Sequence, residues 1–234
     1  MNYNSVILNQ GAGLGDLIYI QSIAMDLIKR GIGCSIVAQD IYLPIEKHFP
    51  HVTFIDKSNF PKEYDDNQER IINDVRIIPM RFSDSLCQVP YRDCMKSKYM
   101  LVGMDWTKWK DDCHVERDKE AEDRLFYDVL GLKDGEIYTV VSDKFHTGGK
   151  KTRPIHASAD KIVCVDFIDG FTHIDWLKVY QNATEIHAVS SSNIYLFELF
   201  DIKCPIHLYV RKPMEKNHAN YEYLLMKSNY IFHD

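Results

Sequence analysis

The chain has 234 residues, 45% of them hydrophobic and 26% charged, with 28 basic against 34 acidic side chains and a net charge of −6. This is the composition of a soluble globular protein, with room for one large domain or two of roughly 100 residues each. It excludes nucleic acid as the main partner, because no strongly basic face exists, and a membrane span, because no apolar stretch reaches roughly 20 residues.

The polar N-terminus runs directly into strand and helix patterns rather than a signal peptide, so a cytoplasmic protein is expected. Residues 5–8 (Ser-Val-Ile-Leu) read as a short buried strand and residues 17–28 as the helix that follows. Between them stands Asn9-Gln-Gly-Ala-Gly-Leu-Gly-Asp16. Residues 34–38 read as a second strand, 42–48 as a short helix with Pro44 in its first turn, and 52–55 as a third strand. Residues 70–78 read as a helix end followed by a strand. Residues 80–115 read as helical pieces with aromatic packing around Trp106 and Trp109. Residues 116–130 form a clear helix capped by Gly131. A second alternation follows: strands at 136–141, 161–165, 185–189 and 205–210, with helices at 174–180 and 192–200. This is the rhythm of parallel sheets with helices on their faces. The expected fold class is α/β, with two Rossmann-like domains, residues 1–132 and 133–234, facing each other across a cleft.

Six cysteines, at 34, 87, 94, 113, 164 and 204, form no CxxC pair. Cys34 and Cys164 lie in apolar runs, and reduced thiols are expected rather than disulfides or zinc. The ten histidines show no HxxxH or HxH spacing, so no metal site is expected.

Four segments carry candidate chemistry. In the first, Gly11, Gly13 and Gly15 let the backbone turn between strand and helix and approach a ligand closely, and Asp16 places a carboxylate where a phosphate would otherwise go. It is an imperfect match to GxGxxG, in which Asp40 after the second strand could serve as the ribose acid, and also fits a tight turn with Asp16 as N-cap. In the second, Ser190, Ser191, Ser192 and Asn193 join a strand end to a helix start, either as an anion site or as ordinary caps. In the third, residues 142–153, Lys144 and Arg153 flank paired glycines and His146, and fit a diphosphate clamp or a solvated loop. In the fourth, residues 166–170, an Asp-Gly turn is favoured over a carboxylate pair.

Through Gly15-Asp16-Leu-Ile and Val189-Ser-Ser-Ser192 the chain resembles GT-B glycosyltransferases, in particular the heptosyltransferase-like family 9 enzymes and their short relatives. Ser190 stands where that family has an acid, and family members usually exceed 300 residues. The resemblance implies an inverting, metal-independent transfer of sugar from a nucleotide-sugar donor to a hydroxyl or glycan acceptor. Asp16 would be the general base, with Gly11, Gly13 and Gly15 lining the acceptor side in residues 1–132. Lys144, Arg153, Ser190, Ser191, Ser192 and Asn193 would hold the donor phosphates in residues 133–234. No cofactor is implied beyond the donor itself. A nucleotide-dependent oxidoreductase or epimerase, and a non-catalytic nucleotide- or carbohydrate-binding module, are the alternatives.

Overall fold

Apolar residues at alternate positions of β1 (Ser5–Asn9) place Val6 and Leu8 in a fully buried layer. β1 is the centre of a five-stranded sheet in the computed structural model, which describes residues 3–11, 13–66, 68–80, 94–145, 151–211, 224–225 and 227–233. The strand order is β3-β2-β1-β5-β4. β2 (Gly33–Ala38), β3 (Thr53–Asp56) and β5 (Val75–Pro79) run parallel to their neighbours, and β4 (Arg70–Ile72) pairs antiparallel with β5. Helices α1 (Leu14–Tyr19) and α2 (Gln21–Lys29) follow β1, and α3 (Cys94–Met100) follows β5. Tyr19, Tyr99 and Trp109, all fully buried, pack ring against ring, and Tyr99 donates to the Tyr19 carbonyl at 2.7 Å. The expected aromatic packing of this middle segment is therefore present.

A second sheet has the order β12-β11-β10-β6-β9 and is wholly parallel. Its strands are β6 (Thr139–Ser142), β9 (Ile162–Cys164), β10 (Glu185–Val189), β11 (Ile206–Tyr209) and β12 (Tyr230–His233). Counted within this unit, the order 2-1-3-4-5 is that of a flavodoxin-like sheet. Val140, Ile186, Ala188, Ile206 and Leu208 are fully buried on one face. The helices here are α4 (Lys119–Asp123), which continues as a π turn over Arg124–Val129, then α5 (Leu177–Asn182) and α6 (Asn193–Leu199). Gly131 ends the first of these with a positive φ of 62°, as a helix-terminating glycine does. A small ladder pairs β7 (Lys144–Phe145) with β8 (Lys151–Thr152).

The chain divides into two units, Met1–Glu116 and Arg117–Asp234. The α/β class with parallel sheets agrees with the sequence reading. The division falls before helix α4 rather than at residue 132, because that helix packs within the second unit: Lys178 Nζ lies 5.1 Å from the Phe126 ring centroid, and Phe126 meets Tyr138 edge-on.

Other differences have local causes. Residues 70–79 form a hairpin, not a helix end and strand. Asn73 and Asp74 both adopt positive φ (47° and 64°), the conformation of a two-residue turn between antiparallel strands. Residues 40–48 form a 3-10 helix with Pro44 inside it. β12 was not anticipated. Cys34 is buried as expected, but Cys164 is exposed, and Cys34, Cys113, Cys164 and Cys204 are all free thiols. Burial pushes the thiols of Cys34 and Cys113 up to about 12. Among the described residues, no helix is long and apolar enough to cross a membrane.

Candidate functional site

Each sheet reverses its strand order once, and in open α/β sheets ligands bind beyond the carboxyl ends of the strands at that point. In the first unit the reversal lies between β1 and β5, where Asn9 pairs with Pro79. Asn9 and Gln10 at the end of β1 are both fully buried, an unusual place for two amides. The chain then turns through Gly11 and Gly13 into α1. Gly13 is the N-cap residue, with φ −74° and ψ 173°, and makes no side-chain cap. Gly15 and Asp16 fall in the first turn of α1, so Asp16 is not the N-cap.

The group that defines this corner is Lys98 of α3, whose side chain is only 2% exposed. Its ammonium lies 3.2 Å from Asp16 Oδ1, 24% exposed, and donates to Gln10 Oε1 at 2.8 Å and to the Met80 carbonyl. One buried cation thereby ties the end of β1, the end of β5 and the start of α1 together. The negative end of the pair is the partner open to solvent. Tyr42 is close enough to feel it: burial, and secondarily the Asp16 charge, raise its phenol above the usual range. Gln39 Nε2 donates to the Gly11 carbonyl at 3.0 Å and steadies the turn. Asn9 Nδ2 donates to Asp65 Oδ1 at 3.2 Å, and Lys57 pairs with the same carboxylate.

In the second unit the reversal lies between β6 and β10, at Ser142 and Ser190. Asn193 Nδ2 donates to Ser142 Oγ at 2.6 Å and bridges the crevice between the two strand ends. Ser190 is 3% exposed; its N–H donates to the Tyr209 carbonyl, and Arg211 Nε donates to the Ser190 carbonyl at 2.6 Å. Ser191 and Ser192 are half-buried, and Ser192, at the N-cap of α6, makes no side-chain cap bond. Arg153 lies over the Tyr209 ring at 5.5 Å and donates to the Val210 carbonyl, so it shares the β11 end with Ser190. Lys144 does not join it. That side chain is half exposed and paired with Asp166 at the end of β9, so two residues expected in separate roles neutralise each other. Asp169-Gly170 forms the anticipated turn, with Gly170 at φ 80° and Phe171 N–H donating to the Ile168 carbonyl. His146 and the paired glycines of that loop lie outside the described residues.

Sequence reasoning missed Lys98, His173 and Arg211, and took Ser142 only as the start of the cation-rich loop. Burial pushes the imidazole of His173 down to about 4, against a smaller opposing effect of its bond to Asn193. It is therefore a neutral ring at the same strand end at physiological pH. Lys98 lay in a segment without clear periodicity, and nothing local distinguished it from Lys96. A serine ending an apolar strand was a usable signal for Ser142.

No protein-family model matches this chain, and no curated protein matches it. Solved structures do. The glycosyl transferase family 9 structure from Veillonella parvula superposes with a TM-score of 0.58 at 10% identity, over 99% of this chain and 87% of that one. TibC, an iron-containing dodecameric glycosyltransferase from enterotoxigenic E. coli, gives 0.52 at 11% identity, over 89% of this chain and 58% of its own. TibC as a heptosyltransferase in complex with ADP-D-β-D-heptose gives 0.52 at 10% identity, with the same coverage. This chain thus spans 58% of the length of TibC. The resemblance to family 9 glycosyltransferases holds at the level of fold, and a shared fold does not by itself carry an activity.

Proposed function

We propose that this chain is a glycosyltransferase that moves a sugar from a nucleoside-diphosphate donor to a hydroxyl acceptor, with inversion and without a metal in the transfer step. The observation that carries this reading is the Asp16–Lys98 contact at the strand reversal of the first sheet. A carboxylate there has the chemistry of a general base. It takes the proton of the acceptor hydroxyl as that oxygen bonds to the anomeric carbon, while the bond from that carbon to the diphosphate oxygen breaks and the nucleoside diphosphate departs. Lys98 is a positioning residue, which fixes the carboxylate through an ammonium that cannot itself reach solvent. Gly13, where an added Cβ would meet only Asp16 Oδ2 at 4.0 Å, leaves room beside Asp16 for the acceptor, and Gly11 and Gly15 flank it in the turn.

The donor phosphates are assigned to the second unit. Arg153 supplies charge at the β11 end, and Ser190, Ser191, Ser192 and Asn193 supply hydroxyl, amide and first-turn N–H donors. Lys144 would have to exchange Asp166 for phosphate to take part. TibC binds ADP-D-β-D-heptose, which makes ADP-heptose the first donor to test. A dinucleotide cofactor fits less well, since the Asp16 carboxylate stands at the helix N-terminus that a pyrophosphate needs.

The test is Asp16→Asn. Transfer is expected to fall by roughly 10²–10⁴-fold, with donor affinity unchanged. Transfer at the parent rate overturns the assignment of the base. Across a panel of UDP, GDP, ADP and CMP sugars, a cognate donor at about 100 times its Kd stabilises the fold by about 2.7 kcal/mol. Stabilisation by none of them argues against the donor reading.

A further inference from the structure

On one face of the second sheet stand Glu185 and His187 of β10, His207 and Tyr209 of β11, and His233 of β12. Residues two apart on a strand share a face, and the parallel register sets His207 opposite His187 and His233 opposite Tyr209. His207 Nε2 is 2.7 Å from Glu185 Oε1, and His187 Nε2 is 3.4 Å from Glu185 Oε2. One ligand atom from each of the three residues lies within 4.8 Å of the other two.

We propose that Glu185, His187 and His207 bind one divalent transition-metal ion, of the class that takes nitrogen and carboxylate ligands, such as zinc. The donor set suits it: two imidazoles and one carboxylate, with candidate ligand atoms within 4.8 Å of one another, so that small side-chain turns bring them to the spacing of about 3.3–3.6 Å found around a tetrahedral ion with bonds near 2.0–2.2 Å. The outer nitrogens are provided for as well. His187 Nδ1 lies 2.9 Å from the Tyr209 hydroxyl and His207 Nδ1 lies 2.7 Å from His233 Nε2. Each partner can accept from an Nδ1–H, which leaves both Nε2 lone pairs for the metal and fixes the tautomer. The His187 and His207 rings stack at 4.4 Å with planes 8° apart. Converging both Nε2 lone pairs on one ion requires the rings to turn out of this parallel stack. The carboxylate of Glu185, 34% exposed, gives the ion a way in from solvent.

Three protein ligands leave a fourth position for water. Glu185 lies five residues before Ser190, about 16 Å along the strand, so the ion clips β10 to β11, and Tyr209, which bonds His187 and lies under Arg153, links this face to the proposed donor site. This inference is independent of the proposed glycosyl transfer, and its test uses no sugar.

The full chain is stripped with a chelator and titrated with Zn(II), and with Co(II) as a spectroscopic stand-in. The expected result is one equivalent per chain, the visible bands of four-coordinate Co(II), and a folding equilibrium shifted about 100-fold when free metal is 100 times its Kd. Glu185→Gln, His187→Gln and His207→Asn each weaken binding at least tenfold, and the exposed control His156→Ala leaves it unchanged. Binding that survives His207→Asn, or that is lost equally in His156→Ala, overturns the proposal. Should a ligand variant fail to fold, the parent protein decides. The ¹⁵N shifts of His187 and His207 Nε2 must move on addition of Zn(II), and shifts that stay in place refute the site.

Discussion

Replacing Lys98 with methionine tests the proposed base through the group that positions it. Methionine keeps most of the aliphatic stem and removes the ammonium. At 3.2 Å and an effective dielectric near 20, the bare Coulomb attraction between Lys98 and Asp16 is roughly 5 kcal/mol. Asp16 is 24% exposed, and solvent screening brings its worth down to about 1–3 kcal/mol. The Gln10 Oε1 and Met80 carbonyl acceptors lose their donor, at about 1–3 kcal/mol each where they stay buried. Against this, the variant no longer desolvates an ammonium, which offsets several kcal/mol. The net expectation is a loss of about 1–4 kcal/mol and a fall in Tm of roughly 2–16 °C. The rate of sugar transfer should drop further than stability explains, by roughly 10–100-fold in kcat, because a base displaced by about 1 Å loses its alignment. The assays are thermal unfolding and steady-state transfer, with KM for the donor expected to hold. In the Lys98→Met/Asp16→Asn double variant the two kinetic losses should not add, since both act through one carboxylate. A Lys98→Met protein with the parent Tm and kcat would refute the reasoning, as would fully additive losses.

Gly13→Ala separates room for a ligand from backbone need. Gly13 has a φ open to any residue, and an added Cβ meets only Asp16 Oδ2, at 4.0 Å. Stability should therefore change by less than about 1 kcal/mol while acceptor KM rises; a denaturant midpoint showing a loss above about 2 kcal/mol would contradict this. Arg153→Ala should weaken nucleoside diphosphate binding about tenfold by calorimetry. Lys144→Ala should change it less than about twofold, because that exposed cation already faces Asp166; the reverse ranking would move the phosphates to the β7–β8 loop. Folding stability should also fall in acid because of His173. Its imidazole, held down to about 4 by burial, takes up a proton in the unfolded chain near pH 6.5 but resists it when folded. Stability is thus complete above about pH 6.5 and is lost as pH drops toward 4, by at most about 3 kcal/mol. Denaturant titrations should show this slope, and His173→Gln should flatten it.

Much of this protein is written in short-range pattern. Alternating apolar residues place β1, β2, β10 and β11 within a residue or two, Gly131 ends its helix where expected, and Gly15-Asp16 marks the strand-to-helix corner. Burial of one face at a time imposes these periods, and a period is visible in the chain alone. The partners at each corner were not visible, because strand order and register decide them over long separations. Lys98 reaches Gln10 across 88 residues, and Asn193 reaches Ser142 across 51. Lys144 looked like a phosphate ligand until the fold set Asp166 beside it. Glu185, His187 and His207 have no telling spacing in sequence, and only the parallel register of β10 and β11 brings them to one place. Sequence by itself determined that there would be sheets, corners and a carboxylate at the first of them. Tertiary structure decided which charge stands beside that carboxylate, because a buried lysine is tolerable only where the strand ends supply its acceptors.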